Sequence, residues 1–239
     1  MTERMERLEV RGGGNIPGKR KCIRYGIIHG RFQYQEFNTM AKTKPLFIVM
    51  SAPSGCGKST LIDMLLQEYP DIVYSISCTT REIRGEEEDG LDYHFMKKER
   101  FEELIGENAF IEYANVHGNY YGTLKGPIEE VLAEGNSMIL DIDVQGAAKV
   151  REYVRSLPNT DPMKIGYVDI FIMPPSMEEL RARLEGRGTD SREVIEKRLA
   201  NAGGEIDRAG EYMYKVTNDD LAMAYKRLCD LIDAVSGRM

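Results

Sequence analysis

Residues 46–66 read LFIVMSAPSGCGKSTLIDMLL, and the order of residue types within them sets the class of fold. Leu46 to Met50 is a short apolar run, which predicts a buried strand, and Ser59 to Glu68 is amphipathic at helical spacing. Between them lies a turn, Ala52-Pro53-Ser54-Gly55-Cys56-Gly57, that ends in Lys58-Ser59-Thr60. A strand, a glycine-containing turn and a helix in this order make a phosphate-binding loop. Backbone N–H groups line a concave nest, and the helix N-terminus adds partial positive charge. Lys58 is expected to reach the β and γ phosphates of a nucleotide, and the Ser59 hydroxyl to ligate Mg²⁺. Ala52 stands where the usual string opens with glycine, a departure that is tolerated if the residue keeps a negative φ.

Working outward, short apolar runs alternate with amphipathic stretches from Lys44 onward, the pattern of a mainly parallel α/β sheet flanked by helices. Strands are expected at Leu46 to Met50, Ile72 to Ser77, Ser137 to Asp141, Ile165 to Met173 and Tyr214 to Val216. Helices are expected at Ser59 to Glu68, Gly126 to Glu134, Gln145 to Val154 and Ser176 to Leu184, the last opened by a Ser176/Glu179 capping box. Leu221, Ala224, Leu228, Leu231 and Val235 give a final helix one apolar stripe. Asp141 ends an apolar run, where an acid can orient Mg²⁺ or its waters. Two stretches interrupt the alternation. Thr79 to Lys125 is polar, with strand-like pieces at Tyr93 to Met96 and Ala109 to Val116, and reads as an inserted subdomain. Gly186 to about Gly204 carries Arg187, Arg192 and Arg198 and reads as a mobile flap.

The 239 residues, 42% hydrophobic, support one substantial core. A net charge of −7 argues against wrapping nucleic acid through the overall field, so any anion must be gripped locally. Four cysteines without a CxxC pair suggest neither a zinc site nor a disulfide framework. With no apolar run long enough to span a bilayer and no secretory pattern, the chain reads as cytoplasmic. Residues 1–39 hold eight Lys/Arg against four Asp/Glu, a net of +4, and read as a flexible extension; a start at Met40 would leave 200 residues.

Two further strings carry chemistry. SISCTTREIRGEEEDGLDYHF offers Arg81 and Arg84 with the hydroxyls of Ser77, Thr79 and Thr80, a set suited to a phosphate monoester. By themselves the two arginines equally fit surface pairing with Glu86 to Asp89. AFIEYANVHGNYYGT adds Glu112, Tyr120, Tyr121 and Thr123; a carboxylate suits guanine, whose N1–H and N2 amine are adjacent donors.

From about Lys44 to Val235 the chain resembles the guanylate kinases, through SAPSGCGKST, TTREIRGEEEDGLDYHF, FIEYANVHGNYYGT, ILDIDVQG, RLEGRGTD and VTNDD in that order. The resemblance implies a core (44–77, 126–185, 205–239), a GMP-binding insertion (78–125) and an Arg-rich lid (186–204). It implies ATP on Ala52 to Thr60 with Asn218 near the base, Mg²⁺ with Ser59 and Asp141, and GMP phosphate on Arg81, Arg84, Tyr93, Tyr121 and Thr123. Ser77, Glu112 and Asp143 would read guanine, with Asp141 and Asp143 on one side of a strand. Arg183, Arg187 and Arg198 would join Lys58 and Arg81 at the transferring group. The reaction implied is γ-phosphoryl transfer from ATP to GMP. A non-catalytic binding module of the same fold and a sugar-phosphate kinase are the rivals; a GTPase is disfavoured by the lack of an NKxD-type motif. In the family's Arg-x-Gly-Glu string the glycine is displaced by one place, to Gly85. Cys56, inside the phosphate loop, reads first as an inert small residue, with the alternative that donors and the helix dipole lower its pKa and make the protein sensitive to oxidation.

Overall fold

A computed structural model describes residues 27–28, 31–32, 43–186, 188 and 190–238. The reading of residues 1–39 as a flexible extension lies outside these, apart from an antiparallel pair, β1 (Ile27–Ile28) and β2 (Arg31–Phe32). The core is a five-stranded parallel sheet in the order β11-β10-β3-β9-β4. Its strands are β3 (Phe47–Ser51), β4 (Ile72–Tyr74), β9 (Ser137–Asp141), β10 (Tyr167–Met173) and β11 (Tyr214–Thr217). All of β3 is buried, so it reads as an unbroken apolar run, and successive side chains feed opposite faces. Leu46, Ile48 and Met50 join a core with Leu61 and Leu65 of α1 (Lys58–Glu68), Leu180 and Leu184 of α6 (Met177–Gly186) and Leu228 and Ile232 of α8 (Leu221–Ser236). Phe47 and Val49 join another with Ile128 and Val131 of α3 (Lys125–Ala133) and Val150 and Val154 of α4 (Val144–Ser156). Each such buried side chain contributes roughly 1.5–3 kcal/mol through removal from water.

Between β4 and α3 the chain builds a separate four-stranded sheet, ordered β6-β5-β8-β7. It comprises β5 (Cys78–Thr79), β6 (His94–Phe95), β7 (Phe110–Val116) and β8 (Asn119–Leu124), with α2 (Lys98–Gly106) beside it. Cys78, Phe101, Leu104 and Phe110 form its own small core, in which Phe101 stacks on Phe110 at 4.2 Å between ring centroids. The remaining elements are α5 (Pro162–Gly166), α7 (Arg192–Asp207) and a 3₁₀ turn at Arg208–Glu211.

Several expectations need correction. The strand expected over Ile72 to Ser77 ends at Tyr74, because the chain leaves the core sheet there and Ser77 O accepts from His94 N in the insertion. The strand expected from Ile165 starts at Tyr167, since Asp161 caps the short helix α5 first. The 16-residue helix α7, capped by Ser191 and seated through Ile195, Leu199 and Ala202, was not expected and occupies much of the stretch read as a flap. Only half of the capping box forms as expected: Ser176 Oγ accepts from Glu179 N at 3.1 Å, but the Glu179 carboxylate turns to Arg183. Among the described residues, no helix is long and apolar enough to cross a membrane.

Candidate active site

The loop after β3 turns through Cys56 N donating to Pro53 O, and Gly55 and Gly57 take φ of 98° and 82°. These left-handed values disfavour any residue with a Cβ. Ala52 is not among the described residues with positive φ, so its replacement of glycine is accommodated. The α1 N-cap is Gly57, with no side-chain hydrogen bond. By contrast α4, α7 and α8 are capped by Asp143, Ser191 and Asp220. The first N–H groups of α1 are therefore left for an anion, as the helix dipole favours. Ser54, Ser59 and Thr60 are exposed at this rim.

Parallel pairing sets Met50 opposite Asp141, which brings the end of β9 beside the loop, and Lys58 Nζ forms an ion pair with the Asp141 carboxylate. Asn218 is buried and its side-chain amide donates to Cys56 O at 2.8 Å. Its observed role is thus to brace the loop. Arg198 of α7 donates to Ser54 Oγ at 3.3 Å and to Asp190 Oδ1 at 3.2 Å. Arg183 donates to Glu179 Oε1 at 3.1 Å and faces Cys56 electrostatically. Arg187 lies outside the described residues. Cys56 fits its reading as an inert small residue and not the activated alternative: it is fully buried, and burial pushes its thiol up to about 12 despite the nearby Arg183 and Lys58 cations.

In the insertion, antiparallel pairing sets Glu112 opposite Thr123, whose hydroxyl donates to Glu112 Oε1 at 2.9 Å and lies 3.5 Å from Ser77 Oγ. Burial raises the Glu112 pKa, against the lowering effects of the Thr123 hydrogen bond and of Lys149. Asp143 is also electrostatically coupled to Glu112. It sits beyond the end of β9, not on the strand beside Asp141 as expected, and caps α4 by accepting from Gln145 N and Gly146 N through Oδ1. A Cβ at Gly146 would come 3.3 Å from Glu112 Oε2, so a glycine there lets α4 approach the carboxylate.

Arg81 is buried, its guanidinium 5.3 Å from the Tyr93 ring, and Tyr93 meets Tyr121 edge to face at 6.0 Å. Its Nη1 and Nη2 donate to the Glu87 carboxylate at 2.8 and 2.9 Å, which holds Glu87 down at about 2. Arg84 is exposed, and its backbone N–H also donates to Glu87. The displaced Gly85 takes φ 56° with open space around it, so the altered turn is unstrained.

The pairing that the sequence left open between Arg81 and the acids Glu86 to Asp89 forms, with Glu87 as the partner. Two residues near these groups were missed in the sequence. Lys149 of α4 donates to Tyr113 O beside Glu112. Glu205 of α7, its pKa raised by burial, faces both Asp143 and Lys58. The spacing of Arg198 and Glu205 by seven residues, two helical turns, was the available signal for that last one.

The guanylate kinase family profile matches residues 43–235. The guanylate kinase of Neisseria meningitidis serogroup A is 47% identical over 194 residues, covering 81% of this chain and 90% of that one. The guanylate kinase of Synechocystis is 45% identical over 189 residues, covering 79% and 94%. A crystal structure of guanylate kinase from Anaplasma phagocytophilum superposes with a TM-score of 0.62 at 36% identity, covering 82% of this chain and 89% of its own. With the loop, the insertion and the buried carboxylate in place, the chain belongs to the guanylate kinase family.

Proposed function

We infer that the protein transfers the γ-phosphoryl group of ATP to GMP, giving ADP and GDP, and so serves guanine nucleotide metabolism. The observation that carries this reading is the buried Glu112, tied to Thr123 and Ser77, in a chain that also presents the uncapped helix N-terminus behind Gly57. A carboxylate acceptor there matches the paired N1–H and N2 donors of guanine; a sugar phosphate offers no such pair. The assignment of 78–125 as the GMP-binding insertion, 186–204 as the lid and the rest of 44–239 as the core belongs to the same proposal. So does a cytoplasmic location.

The protein needs little covalent chemistry, because phosphoryl transfer is promoted by alignment and by compensating charge. The loop from Ala52 to Thr60 holds the ATP phosphates, with Lys58 at the β and γ groups. Arg81, Arg84, Tyr93, Tyr121 and Thr123 hold the GMP phosphate, and Ser77, Glu112 and Asp143 read the base. Arg183, Arg187 and Arg198 approach the transferring group and exclude water. Among the described residues no cluster of three or more His, Cys, Asp or Glu could hold a metal ion. A single carboxylate with a hydroxyl still suits Mg²⁺ that arrives on ATP, since that ion keeps several waters and takes phosphate oxygens. Ser59 and Asp141 would hold it, directly or through water, and it would neutralise phosphate charge.

An ADP-release assay with ATP and Mg²⁺, offering GMP, AMP, UMP, CMP and a phosphorylated ribose, tests the reading. Release with GMP alone, lost in Lys58→Ala, is expected. GMP binding without release by any acceptor would transfer the conclusion to a non-catalytic module.

A further inference from the structure

A guanidinium has two edges able to meet a planar or tetrahedral anion through two N–H groups: the end-on edge of Nη1 and Nη2, and the side-on edge of Nε and Nη2. In Arg81 the end-on edge is committed. Glu87 Oε2 accepts from Nη1 at 2.8 Å, Glu87 Oε1 accepts from Nη2 at 2.9 Å, and the second Nη1 hydrogen goes to Glu82 O at 2.8 Å. The stem is held as well, with the guanidinium 5.3 Å from the Tyr93 ring and 5.7 Å from the Phe95 ring. Glu87 Oε2 accepts in addition from Arg84 N at 2.9 Å, so one carboxylate ties the Arg81 head to the turn that bears Arg84.

We propose that Glu87 is a positioning residue for the GMP phosphate: it takes the end-on edge of Arg81 and the backbone of Arg84, leaving the side-on edge of Arg81 to the phosphate. This rests on the reading of Arg81, Arg84 and Tyr121 as the phosphate grip. Glu87 itself touches no substrate. Its charge alone would act in the opposite direction, because an anion beside the grip repels a phosphate and its removal would tighten GMP. The sign of the effect therefore separates orientation from simple Coulomb repulsion.

The experiment measures binding of GMP and of guanosine by calorimetry, with KM for ATP and GMP, in the wild type, Glu87→Gln and Glu87→Asp. Guanosine lacks the phosphate and reports the base site alone. Glu87→Gln is expected to weaken GMP by about tenfold or more, the cost of loosening a charge-assisted grip, with guanosine binding and the ATP KM unchanged. Glu87→Asp, which keeps the charge but shortens the reach, is expected to fall between. Tighter or unaltered GMP binding in Glu87→Gln overturns the proposal. So does an equal loss for GMP and guanosine, which would make Glu87 a support of the insertion as a whole. If Glu87→Gln does not fold, wild-type GMP affinity in folded Glu87→Asp overturns it too, and a weakened GMP with intact guanosine sustains it. A wild type that fails to phosphorylate GMP refutes the proposed function itself; an active wild type with an indifferent Glu87→Gln refutes only the role of Glu87.

Discussion

The Asn218 side-chain amide donates to the Cys56 carbonyl at 2.8 Å, and a Cβ placed on Gly57 would lie 2.5 Å from the same Asn218 nitrogen. The C-terminal part of the chain thus closes over the phosphate loop and holds it from behind. Asn218→Ala leaves the Cys56 carbonyl buried without its donor, at a cost of about 1–3 kcal/mol. The expected result is a lower unfolding midpoint and a raised KM for ATP, with KM for GMP little changed. Gly57→Ala, strained by its positive φ as well as by the clash, is expected to abolish activity; steady-state kinetics and denaturant unfolding check both.

Glu112 gives a pH prediction for the acceptor. Burial raises its pKa in the folded protein, so the native state binds the proton more tightly than the unfolded chain does. Its contribution to stability is therefore fully present below the unfolded-state value near 4.5 and is lost as pH rises through the raised folded value. Acceptance of guanine donors needs the ionised form, which runs the other way. KM for GMP is expected to rise on acidification before an ordinary glutamate would titrate. In Glu112→Gln that limb should disappear, GMP should bind weakly at every pH, and stability near neutral pH should increase.

Asp169 is fully buried on β10 and accepts from Arg151 Nε at 2.8 Å, Tyr167 OH at 3.1 Å and Met213 N at 2.7 Å. Arg151 also reaches Glu211, just after α7. Asp169→Ala leaves the buried Arg151 guanidinium only the part-exposed Glu211, and breaking a buried pair costs about 3–5 kcal/mol. Urea unfolding should show that loss with an unaltered slope. Replacing both Arg151 and Asp169 with apolar residues should cost less than the single change.

Cys56 yields a prediction of inertness. With its thiol buried and pushed up to about 12, it should resist alkylation at pH 8 in the folded protein. Peptide mass spectrometry after brief iodoacetamide treatment should find Cys56 unmodified and activity intact, with labelling only after denaturation.

How much of this was legible before the structure follows from the kind of signal each part carries. The phosphate loop could be read because strand, turn and helix are contiguous and each imposes its own residue types on Leu46 to Leu66. The unbroken apolar run along β3 likewise announced a buried strand. By contrast β8 and α2 were missed, since Asn119–Leu124 is rich in tyrosine and glycine and Lys98–Gly106 is short and mostly charged. Their stability comes from the Phe101, Phe110 and Tyr120 stack, a contact between distant positions. Arg192 and Arg198 drew attention away from Ile195, Leu199 and Ala202, the spacing that seats α7. Of the two readings of Cys56, the activated one weighed the helix dipole alone; Leu180 and Leu184, packed in the same core, favour the inert one. Choosing Glu87 among its acidic neighbours requires the turn geometry.

Strand β3 lies at the centre of its sheet, paired to β10 on one side and β9 on the other, and no residue of it reaches solvent. The insertion has a core of four buried residues and two-residue strands at β5 and β6. Amide hydrogen exchange should accordingly be slowest in β3 and much faster in β5 and β6, as protection follows burial and local cooperativity. On the proposed assignment, the loop for ATP would be rooted in the last segment to open, and the insertion for GMP in one of the first. The proposed acceptor half would then open repeatedly while the donor half keeps its shape.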